Sequence, residues 1–204
     1  MLFYPNAFSI GTMRTGLIIF WVLGLFSGYA QKEPQGLLIT GLQSSILSIE
    51  GSTNVNCFEC TFDSAYLEPK TSLTYAKKAN LYVLSNAVFR LDLAGFDCGG
   101  KAINKDFREM LRAEAYPSVF LNFTRVSVSE TGYEATVIIS LAGKQHTYTV
   151  PIDYDRQDLS HATGKLEINI MDFQLEKPRK LMGLVVIDDV ISIHFDIGGS
   201  VADF

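Results

Sequence analysis

The chain has 204 residues, 48% of them hydrophobic, with 17 Lys+Arg against 22 Asp+Glu and a net charge of −5. An acidic balance of this kind argues against nucleic acid or an anionic membrane surface as a partner. Only 3 cysteines occur, so the core must come from apolar packing, for which one domain of this length is ample.

Residues 15–26 form an unbroken apolar run after Arg14, followed by Ser-Gly-Tyr-Ala with small residues at Gly28 and Ala30. That is the layout of a secretory signal, with cleavage expected before Gln31. About a dozen apolar residues fall short of the roughly 20 needed to span a bilayer, so no stable membrane span is expected in the mature chain, residues 31–204. Residues 1–12 carry no charge, whereas a chain starting at Met13 would open on Met-Arg-Thr and the apolar run, so Met13 is a plausible true start. Removing residues 1–30 takes away Arg14 alone among charges, leaving 16 Lys+Arg against 22 Asp+Glu, a balance of −6.

From there on, alternation with a period of two dominates. Strand-like runs cover 37–42, 45–49, 55–62, 72–76, 80–84, 88–93, 119–128, 133–141, 145–152, 165–170 and 189–197, separated by short turn signals. In 133–141, Ala135, Val137, Ile139 and Leu141 share one face while Glu134, Thr136 and Ser140 point the other way. Leu166, Ile168 and Ile170 alternate with Lys165, Glu167 and Asn169, and Ile191, Ile193, Phe195 and Ile197 do the same further on. Many antiparallel strands with no βαβ rhythm predict an all-β sandwich or barrel, and alternation does not separate the two. Gly198 and Gly199 are expected to close the last strand and begin a flexible tail.

The stretch 96–123 breaks the pattern. Asn104 is a suitable N-cap, Phe107, Met110 and Leu111 recur at helical spacing, and the residue before Pro117 is pushed out of the helical region. One short helix is therefore expected over residues 104–115.

An odd number of cysteines in an exported chain suggests one pair and one spare. Cys57 and Cys60 resemble a Cys-x-x-Cys redox or zinc motif. On an extended strand, however, they would stand about 10 Å apart on opposite faces, beyond the roughly 7 Å limit for a disulfide. There is no second cysteine pair for zinc and no helix after Cys60 to lower a thiol pKa. His146, His161 and His194 lack the spacing of a metal motif, and no nucleophile elbow, phosphate loop or glycine fingerprint is present. Asp188-Asp189 and Asp153/Asp155 fall at expected strand ends, where turn chemistry accounts for them. Asn122-Phe-Thr124 matches a glycosylation sequon on an expected strand and is taken as chance. Neither catalytic residues nor metal ligands are assigned, and the chain is not expected to be an enzyme.

Taken in order, the Gly-Ser-Thr-Asn turn after the strand at 45–49, the Asn-x-Asp pair, short helix and Tyr-Pro break of 96–123, the hairpin ISLAGKQHTYTVPIDY and the closing GKLEINIMDFQLEKP and VVIDDVISIHFDI resemble the YceI-like family over residues 38–197. These are lipocalin-like barrels of the bacterial envelope that bind polyisoprenoid lipids. The resemblance implies an antiparallel barrel of about eight strands in a periplasmic or secreted protein. It also implies a Cys60–Cys98 disulfide, as in some relatives, with Cys57 left free.

A lipid-binding role would place Phe89, Leu91, Val119, Leu121, Phe123, Val137, Ile139, Leu166, Ile168, Ile193 and Phe195 around one apolar space. An isoprenoid quinone or polyprenyl lipid would be the ligand, with no other cofactor. The same residues also suit a filled core, because eight strands leave room for either one ligand or the side chains themselves. The competing function is a structural or stress-response barrel with no ligand.

Overall fold

The computed structural model describes residues 34–42, 45–130, 132–154, 161–177 and 186–203. The expected signal segment lies outside them. No helix among the described residues is long and apolar enough to cross a membrane.

The strands are β1 (Gln35–Thr40), β2 (Ile46–Ser52), β3 (Cys57–Phe62), β4 (Lys70–Lys78), β5 (Leu81–Ser85), β6 (Val88–Asp92), β7 (Phe96–Asp97), β8 (Ser118–Ser129), β9 (Gly132–Leu141), β10 (Lys144–Tyr154), β11 (His161–Asn169), β12 (Val190–Gly198) and β13 (Ser200–Asp203). They form one sheet in which every pairing is antiparallel. The sheet has 13 strands rather than the eight expected.

The difference comes from breaks within longer courses. β1 and β2 run end to end alongside β13 and β12 on one side and alongside β4 and β3 on the other. β5, β6 and β7 similarly share one course between the β3–β4 course and β8. β8, β9, β10 and β11 supply single courses, and the β12–β13 course returns to β1 and β2. Each course pairs with the next in chain order and the last with the first, which closes the sheet into a barrel.

Local chemistry makes the breaks. Asp63 and Asp92 each cap a single 3-10 turn, their carboxylates accepting from the backbone N–H of Ala65 and Ala94 at 3.0 Å. Such side-chain bonds offer the backbone an alternative to the ladder. Asn86, with φ of 61°, separates β5 from β6. Gly41 takes φ of +79° between β1 and β2, a conformation open to glycine without a steric penalty. At Gly199 a Cβ would lie 2.9 Å from the Thr40 carbonyl oxygen. The pair Gly198 and Gly199 is thus no flexible tail: Gly198 ends β12, and β13 follows and pairs with β1.

The helix, α1 (Lys101–Met110), begins and ends earlier than expected. Gly100 is its N-cap, and Asn104 lies inside the first turns. The Asn104 side chain instead reaches back, its Oδ1 accepting from Cys98 N–H at 2.6 Å and its Nδ2 donating to Asp97 at 2.8 Å. At the other end Arg112 adopts φ of 54°, which stops the helix before the Tyr116–Pro117 break is reached. Phe107, Met110 and Leu111 are buried as the spacing predicts. Each buried side chain of this size contributes about 1.5–3 kcal/mol.

The core is densest beneath α1. Phe62 and Phe96 pack with ring centroids 4.8 Å apart, and Phe96 and Phe107 at 5.4 Å. The Cys60–Cys98 disulfide is buried among them and Cys57 is free and exposed, as the family resemblance implied.

Candidate apolar binding site

The inner face of the barrel follows from the register. Opposite residues of paired strands share a face, so the fully buried Val137 and Ile139 place Phe123 and Leu121 of β8 and Tyr148 of β10 inward. The apolar sets expected on β9, β11 and β12 all face this interior. A bulge between Phe123 and Arg125 lets Phe123 and Val126, three residues apart, both turn inward.

Two halves of the interior differ. Under α1 lies a largely enclosed cavity of about 70 Å³ lined by apolar residues only. Of the eleven residues expected around the lipid, Leu91, Val119, Leu121, Ile139, Ile168 and Ile193 line it. Val137 and Leu166 are buried in the surrounding core. Phe89, Phe123 and Phe195 stand apart from the cavity, facing the other half of the barrel, where Phe89 meets Phe123 edge-on at 5.7 Å. The expected set is thus divided between the two halves.

The sequence reading missed the roof of the cavity. Phe107, Met110 and Leu111 of α1 line it together with Phe96 and Leu93. Their helical spacing is visible in the sequence, but the expected lipid-facing set contains strand residues alone.

In the half away from α1, Leu73, Ala135 and Val150 are buried, but most inward residues keep partial contact with solvent although they face the barrel axis. Leu37, Tyr75, Tyr82, Leu84, Phe89, Phe123, Val126, Val128, Ile152, Phe195 and Ile197 are all only partly buried. This end is the mouth, bounded by the β4–β5 and β8–β9 turns.

Among the described residues, β10 and β11 pair only at Asp153–Thr163 and Tyr154–Ala162, which leaves a gap in the wall. Side chains fill the gap nearer α1. Phe173, fully buried, packs against Tyr148 and His146 with centroids 6.3 and 6.4 Å away, and the Tyr148 hydroxyl donates to Asp172 at 2.6 Å. Burial, followed by that hydrogen bond, holds the Tyr148 phenol well above its ordinary value, so the group stays a neutral donor.

A wider groove along the outer side of α1 is lined by Lys105, Arg108, Glu109, Arg112 and Glu114 and opens to solvent. Its charge makes it unsuited to an apolar chain, so the interior is the better site despite its smaller enclosed volume. Among the described residues no group of three His, Cys, Asp or Glu side chains could hold a metal ion.

A closed antiparallel barrel with an apolar interior, roofed at one end by α1, defines a lipocalin-like protein. The YceI-like domain model matches residues 45–198, and the chain belongs to that family. BcnA of Burkholderia cenocepacia has a similar fold, with a TM-score of 0.59 at 21% identity over 80% of this chain and 99% of its own. So does a polyisoprenoid binding domain from Saccharophagus degradans implicated in plant cell wall breakdown, with a TM-score of 0.55 at 16% identity over 81% of this chain and 98% of that domain. A sequence comparison with curated proteins finds no match.

Proposed function

We propose that the protein is an exported carrier that holds one long apolar chain, an isoprenoid quinone or a polyprenyl lipid, inside its barrel, and that it is not an enzyme. The observation that carries this reading is the partial exposure of most of the inward apolar residues in the mouth half, Phe89, Phe123, Val126 and Phe195 among them. A side chain that faces a barrel axis and still touches solvent has unfilled space in front of it, and an apolar ligand is what such a surface would bury. Each methylene so buried contributes about 0.8 kcal/mol before ordering costs.

The cavity of about 70 Å³ is too small for the whole ligand, since pockets for drug-sized molecules run to about 300–1,000 Å³. It suits the end of a chain that lies mostly in the mouth half. Export to the periplasm or beyond is supported by the Cys60–Cys98 disulfide, because such bonds persist in oxidising compartments. The small cavity favours one competing reading, a filled structural barrel with no ligand.

The test is to purify the protein from its own envelope under mild conditions and analyse an organic extract by mass spectrometry. A stoichiometric isoprenoid that is lost from a Leu121→Trp variant of near-normal stability supports the carrier. An empty wild-type protein, with a variant that is merely destabilised by about 1–3 kcal/mol through overpacking, would leave the structural reading.

A further inference from the structure

Across the mouth, the inner wall carries one side chain out of keeping with the rest. Lys77 of β4 stands opposite Tyr82 of β5, Tyr82 opposite Val126 of β8, Val126 opposite Ala135 of β9, and Ala135 opposite Val150 of β10. Ala135 and Val150 are both almost wholly buried, which fixes this face as the inner one. Among the described side chains facing inward in the mouth half, Lys77 is the charged one.

Its surroundings are aromatic. The ammonium lies 5.1 Å from the centroid of the Tyr82 ring, and Tyr82 packs against Tyr75 at 5.8 Å. Hydrogen bonding to Tyr82 holds Lys77 above its ordinary value, and the field of Tyr75 and Tyr133 acts in the same direction. The group is therefore cationic at any working pH. Lys77 is exposed, one residue before the end of β4, so it stands at the wet rim of the apolar interior on the inner face of the wall. There it sits where the polar end of a chain threaded toward α1 would come to rest.

We infer that Lys77, with the Tyr75 and Tyr82 phenols beside it, forms a headgroup site at the barrel mouth that selects an apolar chain ending in an anion such as a phosphate. This rests on the apolar-chain reading and deepens it. An ammonium supplies three donors and a phenol one more, so the site is rich in donors and matches an acceptor-rich, negatively charged head. At this wet rim an anionic head gains a charge-assisted contact that a neutral head forgoes, water solvating the lysine in its place.

The experiment compares binding of a prenyl monophosphate and the prenol of equal chain length to the wild-type protein, Lys77→Gln and Lys77→Arg. Wild type should prefer the phosphate by about tenfold, the size of one charge-assisted contact at a wet site. Lys77→Gln should abolish the preference while leaving prenol affinity and thermal stability unchanged, and Lys77→Arg should retain it. Inorganic phosphate, added as a competitor at the concentration of the prenyl phosphate, should not displace it. Equal wild-type affinity for the two lipids would overturn the headgroup site and leave chain binding intact. Displacement by inorganic phosphate would replace it with a free-anion site. Failure of both lipids to bind would defeat the carrier reading and the headgroup site together.

Discussion

The two ends of the barrel are built from the same alternating strands, yet they close differently. Under α1, Leu47, Ile49, Phe62, Leu93 and Phe96 are each less than a tenth exposed, held by the helix above and the Cys60–Cys98 bridge at its base. At the mouth, Tyr75, Tyr82, Leu84, Phe123 and Phe195 face the same axis but remain half-exposed. Burial is the dominant favourable term in folding, so the helix end carries most of the stability. The mouth has apolar surface to spare for a ligand. Binding sites are commonly drawn from the less stable parts of a fold, and the division of labour here follows that rule.

Substitutions at the two ends should differ sharply in cost. The largest expected loss is at Phe173, which is fully buried against Tyr148 and His146 where, among the described residues, β10 and β11 pair at two positions only. Phe173→Ala should cost about 3–5 kcal/mol, the range for deleting a buried aromatic ring, measured by urea denaturation. A cost near 1 kcal/mol would mean the seam is not a structural joint.

Removing the disulfide comes next. It closes a loop of 38 residues, and the chain-entropy relation assigns such a closure about 4 kcal/mol as an upper figure. The paired Cys60→Ser/Cys98→Ser protein should show a loss approaching that value, and reducing agent should no longer alter its melting temperature. Prenol affinity, set mostly by the mouth half, should change little while the protein is folded.

At the mouth the balance reverses. Phe123→Ala should cost only about 1–2 kcal/mol in the ligand-free protein, because a half-exposed ring has less transfer energy to lose, yet it should weaken lipid retention measurably. Equal losses at Phe123 and Phe173 would erase the distinction between the two ends.

Much of this was legible in the sequence, and the rest was hidden for identifiable reasons. Ala135, Val137, Ile139 and Leu141 alternate with polar residues, so the inner face of β9 needed no structure. β7 spans two residues and β13 four, too short for a period to register. The breaks at Asp63 and Asp92 depend on side-chain caps that compete with the ladder, and the early end of α1 depends on a left-handed Arg112 that no propensity favours. Lys77 escaped because a charged residue at the end of an apolar alternation reads as the end of the strand. Continuing the 72–76 run by one step of its own period, from Leu73 through Tyr75, would have found it on the inner face.

The smallest effect expected lies in the turn that leads into α1, and it sharpens the comparison through pH. The Asn104 side chain donates to the Asp97 carboxylate, and the Gly99 N–H adds a second bond at 3.0 Å; together they hold Asp97 below its ordinary value of 3.8. A carboxylate whose pKa is depressed on folding contributes stability that is fully present above the unfolded value and is lost as pH falls through the lower folded one. Asp97→Asn keeps an acceptor for both bonds but removes the charge and its titration. The wild-type protein should therefore be the more stable above about pH 4, with the difference shrinking toward zero at lower pH, as read from melting temperatures across an acid series. The turn also holds Cys98, so a gap that stayed constant with pH would mean that Asp97 acts there through shape alone, with its charge playing no part in securing the helix end.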